Sequence, residues 1–221
     1  MNKDYYLGLR NRYVPSSIKI VFVLESPPIS GKYFYDETGS VSEPLFAAMM
    51  KIFDFTPRNK QEGLKYFADF GNLLIDATYE PVNHLKGTSR DNTILKSYDD
   101  LMADLRTLGD PTQFNIILVK ANVCRLLEYR LLTDGFKVKN KGVVIPFPST
   151  GQQTNFYREI MQVMETTNNY NVPIDQNELP ITMKLTIGKG YSEVFKPGTK
   201  HEFVLGLLKR GPKKMVYLLV P

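Results

Sequence analysis

Apolar residues fall into short runs separated by polar turn residues. Four runs read as strands: 18–24 (IKIVFVL), 73–77 (LLIDA), 114–119 (FNIILV) and 143–147 (VVIPF). Each is short, rich in β-branched residues and bounded by turn formers. None alternates strictly between apolar and polar, as expected for strands buried on both faces. Between and after them, apolar positions recur at helical spacing over 44–53, 60–67, 92–108, 121–132 and 154–164. Asp110-Pro111 and Thr133-Asp134-Gly135 punctuate the chain where helices should stop. Strands alternating with helices predict an α/β fold of three layers, with a parallel sheet covered on both sides.

The pattern changes after the last of these helices. Residues 167–180 (TNNYNVPIDQNELP) read as a loop. Beyond it come strand-like pieces at 181–187 and 215–220, with a short helical stretch at 201–208 between them. We therefore expect an α/β domain over 1–166 and an extension over 167–221 packed on the same domain.

In a parallel sheet, ligands bind beyond the carboxyl ends of the strands. The four predicted ends carry ESPP (25–28), DATYEPVN (76–83), KANVC (120–124) and FPSTGQQ (147–153). These bring two carboxylates, Glu25 and Asp76, and a Ser/Thr/Gly helix start to one edge. Three rings, Tyr33, Phe34 and Tyr35, follow shortly after the first end. Each feature also has a plain structural reading. Glu25 could cap local amides, Asp76 could simply end its strand, and Ser149 or Thr150 could be an N-cap. The rings could be core aromatics.

Composition narrows the chemistry. With 221 residues, 43% hydrophobic and 23% charged, the chain is long enough for one α/β domain with a small appendage. Its single cysteine, Cys124, excludes a disulfide framework or a four-thiolate metal site within the chain. The two histidines, His84 and His201, are far apart in sequence and form no metal motif. GKG at 188–190 is too short for a phosphate loop. No cofactor is expected. The start of the chain has no apolar signal region and no run is long enough to span a membrane, so a cytoplasmic protein without a membrane partner is expected.

Charge is placed unevenly. Residues 181–221 hold eight basic side chains and two acidic ones, which leaves 1–180 at −1 of the chain's +5. A basic end on a near-neutral body suggests a polyanionic partner, with Lys209 and Arg210 as contacts. Its plain reading is a solvated tail.

The strand-end motifs, taken in order, resemble the uracil-DNA glycosylase superfamily. In several of its branches the first strand ends in Gly-Glu-Ala-Pro-Gly, followed by a Phe-containing loop and a helix. LESPP matches through Glu25 and Pro27, and YFYDETGSVSEPLF through Phe34 and Gly39. The family's second strand ends in a polar residue before a Pro-containing turn, as in LLIDATYEP with Asp76 and Pro81. Its late His-Pro-Ser motif is matched by Pro148 and Ser149 in IPFPSTGQQTNFYREI. The resemblance spans about residues 15–165 and implies a strand order of 2-1-3-4.

The resemblance also implies a function. A glycosylase extrudes a base from the stack, and its sugar becomes oxocarbenium-like as the N-glycosidic bond breaks. Glu25 would activate water and stabilise that cation. Phe34, with Tyr33 or Tyr35 as substitute, would stack on the base, and Asp76 would read its edge. Ser149, Thr150, Gly151 and Gln152 would hold the DNA backbone, helped by free helix N–H groups. DNA is the expected partner. The alternative is a non-catalytic member of the fold that binds nucleic acid or protein. The sequence departs from the family where Phe147 replaces the histidine that stabilises the leaving base, since phenyl donates no hydrogen bond. It also departs at Leu24 and Pro28, and at Asp76 where an asparagine is usual. Lys120, Asn122 and His84 are the candidate replacement donors.

Overall fold

The run at 18–24 becomes the central strand of the sheet. In chain order the elements are α1 (Lys3–Arg10), β1 (Ile20–Leu24), α2 (Pro44–Ile52), α3 (Lys60–Asp69), β2 (Asn72–Asp76), α4 (Gly87–Lys96) and α5 (Tyr98–Thr107). They continue with β3 (Asn115–Leu118), α6 (Ala121–Thr133), β4 (Lys137–Val138) and α7 (Gln153–Asn168). The computed structural model describes residues 2–168 and two further strands, 184–187 and 191–194.

All pairings in the main sheet are parallel, in the order β2-β1-β3-β4, and helices flank it. β1 pairs with β2 from Ile20↔Asn72 to Leu24↔Asp76, and with β3 from Ile20↔Asn115 to Val23↔Leu118. Val21, Phe22 and Val23 are fully buried, because a strand with neighbours on both edges and helices on both faces has no solvent side. Phe22 meets Phe67 of α3 at 5.8 Å between ring centres. Val123, Leu127 and Leu131 of α6 and Leu101 and Leu105 of α5 complete the core.

The fourth strand differs from the expectation. Residues 143–147 do not form a strand; β4 is Lys137–Val138, and the later segment joins the sheet only through a bridge between Val119 and Ile145. The cause is visible at Asn140. Its side-chain amide donates to Leu118 O and accepts from Leu118 N–H, both at 2.9 Å. A side chain thus fills the ladder position that backbone would have taken, and the chain bulges away until Ile145 returns. Pro146 could not have donated to a ladder in any case.

The opposite edge is closed by a side chain too. β2 is an edge strand, and the Tyr35 hydroxyl accepts from Leu74 N–H at 2.7 Å and donates to Leu74 O at 3.1 Å. One phenol thereby satisfies both outward groups of that residue and removes an open pairing edge.

Two helical expectations also change. The predicted helix 92–108 is two helices that meet at Ser97, whose hydroxyl bonds Thr93 O at 3.2 Å and Thr78 Oγ1 at 2.9 Å. The unforeseen α1 starts at Asn2, which caps Tyr5 N–H. α1 places Tyr6 edge-on to Tyr33 at 4.9 Å and sends Arg10 to Asp104 of α5.

The aromatic loop after β1 is fastened by a buried lysine. Lys60, at the start of α3, donates to Tyr33 O at 2.8 Å and to Glu43 Oε2 at 3.0 Å, with its side chain fully buried. Gly39 lies against this pair, where a Cβ would collide with Glu43 Oε1 and stand 2.9 Å from Lys60 Nζ. The chain divides into two compact units, Met1–Asn171 and Val172–Pro221. In the second, β5 (Lys184–Ile187) pairs antiparallel with β6 (Tyr191–Val194). The helix expected at 201–208 and the strand expected at 215–220 lie outside the described residues.

Lys60→Met is expected to destabilise the protein by about 3–5 kcal/mol, because it removes the buried cation opposite Glu43, which keeps only the Ser40 N–H, and one of the two donors to the Tyr33 carbonyl, which keeps only the Asp36 N–H. Urea unfolding followed by circular dichroism measures this; a loss under about 1 kcal/mol would refute the clamp.

Candidate active site

Glu25 is the first residue beyond β1, and its side chain has nowhere apolar to go. It is buried, at 6% exposure, and is surrounded by donors from two other chain segments. Lys120 Nζ donates to Oε2 and Asn122 Nδ2 donates to Oε1. Arg90 Nε of α4 stands 3.7 Å from Oε1. Arg90 is itself aimed by bonds to Val82 O at 3.2 Å and Asn83 O at 3.0 Å. Two cations against one carboxylate leave the cluster with net positive charge.

The turn after β3 supplies the amine at a conformational cost. Lys120 has φ +91° and ψ 136°, a region that side-chain-bearing residues rarely enter. Its N–H is held by Ile145 O at 2.7 Å, and its carbonyl accepts from Cys124 N–H at 3.0 Å to open α6. Such strain costs about 1–3 kcal/mol and persists only where the surroundings impose it. Asn122 follows in the first turn of α6. Its Nδ2 is spent on Glu25, while its Oδ1 is buried without a hydrogen-bond partner. That atom is an acceptor facing no donor.

Asp76 ends β2 and is equally buried, at 4% exposure, but belongs to a different cluster. Asp76 is in register with Leu24, so these two share a face of the sheet and Glu25, one residue on, starts from the other. Burial pushes the Asp76 carboxyl up to about 8, against the pull of the Arg10 charge and the Tyr33 hydroxyl. Asp104 and Glu25 add to the rise by repulsion. The Tyr33 hydroxyl is close enough to lower the Asp76 value, yet neither Tyr33 Oη nor Asp76 Oδ2 completes a hydrogen bond of ordinary geometry. Around neutrality Asp76 therefore carries a proton and offers one donor and one acceptor, as an asparagine would. Arg10 is held beside it by Asp104 Oδ1 at 2.9 Å and the Tyr79 hydroxyl at 3.0 Å. A cavity of about 400 Å³ adjoins Asp76, with Thr78, Tyr79, Ser97, Lys3 and Asp100 among its walls.

The predicted site residues are thus distributed rather than gathered. The cavity beside Asp76 is lined by none of Glu25, Phe34 and Ser149. Phe34 is a core ring, edge-on to Tyr35 at 5.0 Å and to Phe67 at 5.4 Å. Tyr33 is buried as well, but its hydroxyl reaches towards Asp76. Ser149, Thr150, Gly151 and Gln152 are exposed in the turn that opens α7. There Ser149 N–H donates to Phe147 O at 2.8 Å, and Gln152 N–H donates to Ser149 O at 2.9 Å. Lys209 and Arg210 lie outside the described residues. Of the candidate replacement donors, Lys120 and Asn122 converge on Glu25, whereas His84 is exposed. Arg90 went unrecognised in the sequence, because no spacing ties a mid-helix arginine to a strand end 65 positions earlier. Among the described residues, no cluster of three or more His, Cys, Asp or Glu could hold a metal ion, and no helix is long and apolar enough to cross a membrane.

No family model matches the chain, and no curated protein matches it.

The strain at Lys120 is measurable by comparing two variants that both lack the amine. Glycine relieves about 1–3 kcal/mol of strain but adds about 0.5–1 kcal/mol of unfolded-state entropy. Lys120→Gly is therefore expected to be more stable than Lys120→Ala by about 1 kcal/mol. Equal stability in chemical denaturation would argue against strain.

The raised Asp76 value fixes a pH dependence. Between the ordinary value of 3.8 and about 8, the folded protein keeps a proton that the unfolded chain has lost. Stability contributed by that proton is complete below about 4, falls as pH rises and levels off above about 8. Asp76→Asn is expected to remove this decline and to raise the melting temperature most at pH 8. An unchanged slope between pH 5 and 8 would show that Asp76 is ionised in the folded state.

Proposed function

We propose that the protein hydrolyses an N-glycosidic bond in nucleic acid, with DNA as the substrate, at the carboxyl edge of its parallel sheet. The observation that carries this reading is the Glu25 cluster: a buried carboxylate at the end of the central strand, oriented at both oxygens by Asn122 and Lys120 and flanked by Arg90. Cleaving this bond generates positive charge at the sugar and negative charge on the departing base. A fixed carboxylate stabilises the first and can accept a proton from attacking water. The Lys120 ammonium can stabilise the second, a role that the phenyl ring of Phe147 could not fill. Arg90 and Lys120 give the edge the positive charge that a phosphate backbone requires.

One observation favours a second reading. Phe34 is packed into the core and Tyr33 is buried, so neither presents an open face for a base to stack on. A non-catalytic nucleic-acid-binding protein would need the cationic edge and no stacking platform.

Base release from oligonucleotides carrying uracil, hypoxanthine and alkylated bases separates the two. Glu25→Gln is expected to lower release about 10²–10⁴-fold while binding to the same oligonucleotides persists. Absence of release by the unaltered protein on every substrate, with binding retained, would favour the non-catalytic reading. Release that survives Glu25→Gln would place the chemistry elsewhere.

A further inference from the structure

Lys120 offers chemistry that base release alone does not use. Its amine sits beside a carboxylate, and the two differ in access: the Lys120 side chain is 31% exposed, that of Glu25 7%. The second oxygen of the carboxylate is fixed by Asn122, so the pair has a set orientation. The backbone at Lys120 is strained into positive φ and pinned through Ile145, which places this amine at the strand end rather than out in solvent. A primary amine forms imines with aldehydes, and a neighbouring carboxylate is the proton carrier that such a reaction needs.

We propose that Lys120 is the nucleophile of a second activity, cleavage of DNA at an abasic site through a Schiff base. This rests on reading the edge as a deoxyribose site. Lys120 ammonium first passes a proton to Glu25. The free amine adds to C1′ of the open-chain sugar aldehyde, forming a C–N bond and a carbinolamine. Glu25 returns its proton to the carbinolamine hydroxyl, which leaves as water and gives an iminium ion. The Glu25 carboxylate then removes a proton from C2′, and the C–H electron pair forms the enamine. The enamine pair moves to form the C2′–C3′ double bond, and the C3′–O bond breaks with its electrons on oxygen. The departing phosphate becomes the 5′-phosphate of the downstream strand. Water hydrolyses the unsaturated iminium ion to an aldehyde, Lys120 returns as ammonium, and Glu25 gives its proton to solvent. No oxidant or reductant is consumed.

The test uses the full chain and an oligonucleotide with a preformed abasic site, so base release is not required. Sodium borohydride supplies hydride that reduces the imine to a stable secondary amine. The expected result is a covalent protein–DNA adduct, mapped by mass spectrometry to Lys120 and lost in Lys120→Arg, which keeps the charge but forms no imine under these conditions. No adduct, an adduct mapped to another amine, or an undiminished adduct in Lys120→Arg would overturn the proposal. Mapping on the unaltered protein keeps the test independent of whether the variant folds. Base release is measured separately on oligonucleotides with intact bases. Release without an adduct at Lys120 overturns the lyase alone, and an adduct at Lys120 without release overturns the glycosylase reading alone.

Discussion

A parallel strand buried on both faces leaves its polar side chains one outlet, the space beyond its end. β1 meets that condition, with Val21, Phe22 and Val23 fully buried and partners on both edges. The rest of the molecule follows from it. The crossovers between parallel strands must be helices, the helices cover the faces, and the ionisable groups collect where strands stop. Glu25, Asp76 and Lys120 each lie at or within two residues of a strand end. Their grouping is a consequence of topology before it is a consequence of chemistry.

That edge holds several groups in costly states. Glu25 is a buried carboxylate, which is tolerated because donors on Lys120 and Asn122 and the charge of Arg90 compensate it. Lys120 adopts positive φ without being glycine. Asp76 meets the opposite solution: burial keeps its proton on, and Tyr33 Oη and Asp76 Oδ2 both remain without hydrogen bonds. Asn122 Oδ1 is a third unpaired atom. Each unsatisfied buried group costs on the order of 1–3 kcal/mol, a large amount against the total stability of a typical domain. Apart from positive φ at Asp54, these costs fall at the carboxyl edge of the sheet.

Side chains also do structural work that backbone usually does. Tyr35 closes the β2 edge at Leu74, and Asn140 completes the β3 ladder at Leu118. Lys60 ties the aromatic loop to α3 and Glu43. These three hold the segments that flank the strand ends, so the edge geometry depends on polar groups as well as on the apolar core. The loop's rings divide accordingly: Tyr35 serves the edge, Phe34 the core, and only Tyr33 reaches the ionisable cluster.

Much of this was legible in the chain itself. Continuous apolar runs between helical segments specify a parallel sheet, because burial on both faces removes alternation, and residue order then places Glu25, Asp76 and Lys120 at its carboxyl edge. The start of α1 also had a local signal in Asn2 and Asp4, since capping acts within one turn. Tertiary structure decided the remainder. Side-chain ladders such as Asn140 with Leu118 depend on contacts 22 positions apart, which no local pattern encodes. Whether a ring packs or faces a site depends on what stands opposite it, and Phe34 met Phe46 and Phe67. The pairing of Glu25 with Lys120 and Asn122 spans about 95 positions and exists only because β1 and β3 lie side by side. Composition fixed which charges were available. The parallel register and the burial it enforces determined which of them meet, and that Asp76 keeps its proton.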